Sequence, residues 1–147
     1  MKVVIGSDHR GVEAKRRLMA SLRALGHDAL DLGTNGTESV DYPDFAYEVA
    51  IRVSRGEADR GILICGTGVG TAIAASKVSG VRAATAHDLV TVRGAVENYD
   101  AQILCMGQNV IASPAAKALV DVWLDLRHDP DSWYGEKLTE IAAYETR

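Results

Sequence analysis

Gly61-Ile62-Leu63-Ile64-Cys65-Gly66-Thr67-Gly68-Val69-Gly70 decides how the rest of the chain is read. Ile62 to Cys65 is an apolar run with the length and branching of a buried strand. Three alternating glycines follow, and then a small-residue helical stretch over residues 71–77. A strand that runs into a glycine-rich turn and a helix gathers backbone N–H groups at the positive end of a helix dipole. That arrangement favours a bound anion. Cys65 stands at the strand tip, where these N–H groups converge, a position expected to stabilise a thiolate. The second cysteine, Cys105, sits mid-strand between Leu104 and Met106 with no glycine turn beside it, and reads as a small core residue.

Outward from this stretch, strand-like and helix-like segments alternate. Strands are expected at residues 3–6, 29–32, 62–65, 81–86 and 102–106, the second of them near a sheet edge. Leu18, Leu22 and Leu25 mark one face of a helix over 12–25, stopped by Gly26. Phe45, Val49 and Val53 mark the next, with Asp44 in its first turn and Arg55-Gly56 at its end. Residues 89–97 form another. Ser113-Pro114 reads as a helix start, with serine as N-cap and proline at the first helical position. A last helix spans about 132–144. Strands separated by helices imply parallel pairing and a three-layer α/β/α sandwich.

The length, 147 residues, and the absence of a linker or repeat indicate one domain over 1–147. A net charge of −4 offers no basic face for nucleic acid. No apolar run approaches membrane-spanning length, and the apolar start at residues 3–6 is too short for a signal peptide, so a cytoplasmic location is expected. The two cysteines form no Cys-x-x-Cys pair and the four histidines lie far apart, which suggests neither a disulfide framework nor a metal site.

In an open parallel sheet the ligand lies outside the carboxyl ends of the strands. The residues just after the strands should therefore share a crevice: Ser7-Asp8-His9, Cys65 to Gly70, His87-Asp88, and Gly107 onward. Cys65 there could be a nucleophile, with His9 or His87 as its base. It could equally be a general base abstracting a proton next to a carbonyl, with the N–H groups of residues 66–70 facing the developing oxyanion and Thr67 adding a hydroxyl. Residue chemistry leaves both open. Asp8 could cap the helix that begins at Val12, and His9 could be a solvated loop residue, but a carboxylate beside an imidazole also suits sugar hydroxyls. A dinucleotide site matches poorly, because Thr71 stands where the fingerprint wants Gly or Ala. A P-loop is excluded more firmly, since no Lys-Ser/Thr pair follows Gly70.

Gly6-Ser7-Asp8-His9-Arg10-Gly11, Val40-Asp41-Tyr42-Pro43, the run from Ile64 to Gly70, and Ala74-Ala75-Ser76-Lys77 together resemble the ribose-5-phosphate isomerase B family. The wider group includes galactose-6-phosphate isomerase. The resemblance implies a Rossmann-like five-stranded parallel sheet and a C-terminal helix packing on a partner subunit. It implies a homodimer, or a tetramer built from it, and no metal or organic cofactor. It implies a small-molecule sugar phosphate as substrate, interconverted between aldose and ketose through an enediolate, D-ribose 5-phosphate to D-ribulose 5-phosphate by default. Carried over by position, Cys65 is the base. Thr67 and the N–H groups of Gly66, Gly68, Val69 and Gly70 steady the enediolate. Asp8 and His9 hold the sugar, and Tyr42 lines the site.

Two departures from the family pattern bear on function. Where the family has His-Asn-Asn or His-Asn-Asp, this chain has Asn98-Tyr99-Asp100, so the histidine that assists ring opening is absent. His87 is the expected substitute, with Asn98 and Tyr99 left to bind substrate. Where the family places phosphate-gripping arginines, this chain has Asn109, Trp133 and Lys137, and only Lys137 keeps a charge. Arg10 and Arg93 could compensate. A four- or six-carbon sugar phosphate, an unphosphorylated sugar, or a non-catalytic sugar-phosphate-binding module are the alternatives.

Overall fold

The computed structural model describes residues 1–146. Five strands alternate with helices: β1 Lys2–Ser7, α1 Val12–Ala24, β2 Asp28–Asp31, α2 Tyr42–Ser54, β3 Arg60–Cys65, α3 Val69–Ala75, β4 Ala83–Thr85, α4 Leu89–Glu97, β5 Ile103–Gly107, α5 Ser113–Asp125 and α6 Trp133–Ala142. A 3-10 turn over Ala143–Thr146 ends the described chain. The strands form one parallel sheet in the order β2-β1-β3-β5-β4. β2 is an edge, as its polar sequence implied.

Side-chain alternation along each strand divides the core into two layers. Val3, Ile5, Ile62, Ile64, Leu104 and Met106 face α1, α4 and α5. Val4, Leu63, Ile103 and Cys105 face α2 and α3. The three interior strands, β1, β3 and β5, are therefore apolar on both faces, which is why residues 62–65 show no polar alternation. No helix among the described residues is long and apolar enough to cross a membrane.

Helix ends follow local chemistry. Gly26 (φ 82°) follows α1 and Gly56 (φ 69°) follows α2, and each closes a Schellman motif: the N–H groups of His27 and Glu57 reach the carbonyls of Leu22 and Arg52. At the start of α5 the expectation is corrected. Ala112 holds the cap position, Ser113 is already helical and makes no capping bond, and Pro114 follows it. Asp8 does not cap α1 directly either, because Gly11 occupies that position. Its carboxylate instead accepts the N–H groups of Arg10 (2.9 Å) and Gly11 (3.2 Å), fixing the turn that enters the helix. β4 is shorter than the expected 81–86. The Arg82 N–H is taken by the Gln102 side chain at 2.8 Å, and its guanidinium donates to the carbonyls of Tyr99 and Asp100 and pairs with the Asp100 carboxylate at 2.8 Å.

Candidate active site

From β1 the chain crosses to β2 on one side, and β3 lies on the other. The crevice between the diverging connections opens at the carboxyl ends of β1 and β3, the topological switch point where such sheets bind ligands. A cavity of about 460 Å³ lies there, lined by Asp8, His9, Arg10, Val40, Tyr42, Cys65, Gly66, Thr67, Val69, Gly70 and Asn109.

Cys65 is the last residue of β3 and is only 5 % exposed. Its Sγ accepts the Gly68 N–H at 3.1 Å and lies 3.6 Å from the Thr71 hydroxyl. Glycine is required at position 68 for two reasons. Its φ of 79° lies in the left-handed region, and a Cβ there would come within 3.0 Å of the Met106 backbone. Gly70 is required by a neighbour, because the Tyr42 ring occupies the space a Cβ would fill. The loop is thus pressed between β5 and α2, and it turns back onto the sulfur. Thr67 is exposed, and its hydroxyl accepts the Val69 N–H at 3.3 Å while its own proton is free to be donated. Of the loop N–H groups expected to face substrate, those of Gly68 and Val69 are engaged by Sγ and Oγ1. The Gly70 N–H, in the first turn of α3, has no carbonyl within its helix.

On the opposite wall, the His9 Nδ1 accepts the Val40 N–H at 3.3 Å, which places the ring proton on Nε2. Asp8, 6 % exposed, keeps carboxylate capacity toward the cavity beyond the two backbone bonds it accepts. Arg10 reaches back over the loop. Its guanidinium and the Asn109 amide both lie 3.4 Å from the point where a Gly66 Cβ would stand. Among the described residues nothing pairs with that guanidinium. Arg93 is engaged elsewhere, with Glu97 at 2.5 Å on the outer face of α4.

The structure brings together Asp8, His9, Tyr42, Cys65, Gly66, Thr67, Val69 and Gly70, with Gly68 buried beneath them. It does not bring in His87, Asn98, Tyr99 or Lys137. His87 follows β4, but its Nε2 accepts the Gly107 N–H at 2.7 Å and burial holds its pKa below the ordinary value. Its ring fastens the end of β5 and stands outside the residues that line the cavity. Asn98 and Tyr99 precede β5 and so lie at the amino end of the sheet, opposite the crevice. The Tyr99 ring stacks edge-on against Tyr134, with centroids 5.7 Å apart. Lys137 lies over the Trp133 ring and pairs with Glu140. Arg10 was one of two arginines the sequence could not place. Val40 enters the sequence reading only as part of the Val40-Asp41-Tyr42-Pro43 stretch, and its own role, a backbone N–H on His9, is not legible there. Among the described residues no group of three or more His, Cys, Asp or Glu side chains is arranged to hold a metal ion.

Comparison with known proteins places the chain in a family. A family model described as Ribose/Galactose Isomerase matches residues 3–141. The chain belongs to the ribose/galactose isomerase family. It is a sugar-phosphate isomerase of that family, interconverting an aldose and a ketose. D-erythrulose-4-phosphate isomerase 2 of Mycolicibacterium smegmatis is 47 % identical to this isomerase over 148 residues, covering 99 % of this chain and 97 % of that one. Ribose-5-phosphate isomerase B of Escherichia coli is 37 % identical over 146 residues, covering 99 % and 97 %. The solved structure of Clostridium thermocellum ribose-5-phosphate isomerase B matches with a TM-score of 0.96 at 43 % identity, covering 99 % of this chain and 98 % of that one.

Proposed function

We propose that this isomerase interconverts D-ribose 5-phosphate and D-ribulose 5-phosphate in the cytoplasm, with Cys65 as the base. The observation that carries the reading is the Cys65 sulfur at the cavity wall, accepting a backbone N–H and set among groups suited to a polyol. The Cys65 thiolate takes the proton from C2 of the open-chain aldose. The electrons move into the C1–C2 bond and the carbonyl oxygen becomes an enediolate oxygen. The sulfur, whose proton can exchange with solvent while it is held, then delivers a proton to C1. Thr67, whose hydroxyl proton is uncommitted, moves a proton between O1 and O2, and the Gly70 N–H faces the charge that develops. Asp8 and the His9 Nε2–H hold the remaining hydroxyls.

A second reading has its own support. The Mycolicibacterium smegmatis relative, more similar than the ribose-5-phosphate isomerase of Escherichia coli, is named for a four-carbon substrate. Rates on D-ribose 5-phosphate, D-erythrulose 4-phosphate, D-galactose 6-phosphate and free D-ribose separate the possibilities. The highest kcat/KM is expected for D-ribose 5-phosphate. A tenfold preference for the four-carbon phosphate would reassign the substrate, and turnover of none would leave a binding module.

Arg10 is the residue we assign to the phosphate. It is an unpaired guanidinium on the cavity wall beside an amide side chain, and its fork can take two phosphate oxygens at once. Arg10→Gln is expected to raise KM for a phosphorylated substrate about ten- to a hundredfold. It should change turnover of free D-ribose little, measured by ketose formation. An equal loss on both sugars would remove Arg10 from phosphate binding.

A second copy of the chain is part of the reading. α6 has no buried residue, and Trp133 (64 %), Ile73 (60 %) and Val69 (51 %) stand exposed along α6 and α3. Burying those groups against a partner would remove apolar surface from water and cover the C-terminal helix. Any contribution of Asn98, Tyr99 or Lys137 to catalysis would have to come from that partner. Light scattering at micromolar concentration should give twice the chain mass.

A further inference from the structure

Behind Cys65 lies a buried polar group that substrate never touches. Thr71 in α3 is 1 % exposed, and its hydroxyl stands between two acceptors, the Gly68 carbonyl at 3.1 Å and the Cys65 sulfur at 3.6 Å. One hydroxyl proton cannot serve both. The Gly68 carbonyl has two other donors, the Thr85 hydroxyl of β4 at 2.9 Å and the Ala72 N–H at 3.2 Å, so it stays satisfied if Thr71 turns away. The third neighbour of Thr71 is Cys105, on the same face of the sheet as Cys65 and fully buried. Burial pushes the Cys105 thiol up to about 12, with the nearby Cys65 adding to the rise. A buried thiol of this kind is a weak acceptor beside a thiolate, so Cys105 competes little with Cys65 for the Thr71 proton.

We propose that Thr71 is a positioning residue for Cys65, donating to the Gly68 carbonyl while the sulfur carries a proton and turning its hydroxyl to the sulfur when that proton has left. The inference rests on the role of Cys65 as base. The bookkeeping is closed. Cys65 takes one proton from carbon and returns one to carbon, the Thr71 proton never leaves its own oxygen, and the Cys105 proton stays on sulfur. Thr85 supplies the Gly68 carbonyl in the state Thr71 abandons. The loop thus meets the thiolate with two donors, the Gly68 N–H from one side and Thr71 from the other. Meeting the thiol costs it no unpaired acceptor.

Thr71→Val keeps the shape and removes the hydrogen bond, and Thr71→Ser restores it. Two readouts are taken: kcat and KM with D-ribose 5-phosphate and D-erythrulose 4-phosphate, and the rate of iodoacetamide alkylation at fixed pH without substrate. Cys105 is sealed from the reagent, so alkylation reports Cys65, and Cys65→Ala should abolish it. The Val variant is expected to lower kcat and the alkylation rate each about tenfold, the effect of one charge-assisted hydrogen bond, with KM unchanged. The Ser variant should come within about twofold of wild type. Thr85→Val, which leaves the Gly68 carbonyl with the Ala72 N–H alone beside Thr71 and so draws the Thr71 proton toward it, should slow both rates about threefold and gives a second route if Thr71→Val does not fold. Val and Ser variants that fall alike would make Thr71 a packing residue and overturn the proposal. So would unchanged rates in Thr71→Val, or in Thr85→Val where that variant stands in for it. Should wild type turn over neither sugar, the base role of Cys65 fails on its own, while alkylation still decides whether Thr71 acts on the sulfur.

Discussion

Cys65→Ala is expected to lower kcat by about a thousandfold, within the range a positioned base contributes, while KM changes little. The sulfur is the only group at the loop tip that can take a proton from carbon. The groups that hold the sugar, Asp8, His9, Arg10 and Tyr42, stand on other elements and keep their own supports. Binding and chemistry should therefore separate. Calorimetric titration with D-ribose 5-phosphate should give the same affinity for variant and wild type, and ketose formation should give the loss in rate. Cys65→Ser sharpens the point. It keeps an acceptor for the Gly68 N–H and nearly the same volume, yet a hydroxyl is a far weaker base at neutral pH, so its kcat should fall almost as far as that of alanine. Wild type in deuterated water should place solvent deuterium on the product carbon, because the proton resides on an exchangeable sulfur between the two carbons. A serine variant with near-native turnover would move the base elsewhere in the cavity.

Legibility in the sequence divides along a physical line. The run from Ile62 to Cys65 is apolar because β3 is covered on both faces, and its glycine turn has a backbone that few other residues could adopt. Both are local consequences of composition, and the strand, the turn and the helix after them could be read directly. The placing of β5 between β3 and β4 could not, because hydrophobic periodicity says which face is buried and nothing about lateral order. In the site, residues that follow strands were found by rule. Val40 was legible only as part of a familiar stretch, since its contribution is a backbone N–H, and Thr71 was passed over because a small polar residue in a small-residue helix resembles its neighbours. Asn98 and Tyr99 were assigned to the site by likeness; they precede β5, so within one chain they lie at the end of the sheet away from the crevice, and a role for them requires a second copy. The Ser113 cap misread a common pattern, Ser-Pro at a helix start, by one residue.

Asp31→Ala is expected to cost about 3 kcal/mol of folding stability, the range for leaving one member of a buried ion pair alone. The Lys15 side chain is 1 % exposed and lies inside α1, with its ammonium 2.5 Å from Asp31 at the end of β2 and 3.0 Å from the Asn35 amide oxygen. Removing the carboxylate strands the charge with a single neutral acceptor. Lys15→Met should cost less, about 1 kcal/mol, because the stem is replaced in kind and the Asp31 side chain, 27 % exposed, can turn to water. The pair also seats the loop from Leu32 to Asp41. Asp31 accepts the Gly33 N–H at 3.0 Å, and Gly33 lies so close to β1 that a Cβ there would fall 2.4 Å from the Ser7 nitrogen. The same loop ends at the Val40 N–H that fixes His9 and leads into Tyr42 over Gly70. A loosened start should therefore be felt at its far end. Asp31→Ala, at a temperature where it remains folded, should raise KM for D-ribose 5-phosphate several-fold with a smaller change in kcat, since the base stands on a different strand. Urea midpoints give the stability order and initial rates give the kinetic one. Equal losses for Asp31→Ala and Lys15→Met would mean that the ammonium finds water once its partner is gone. The anchoring of the loop would then lie in the Gly33 contact and not in the ion pair.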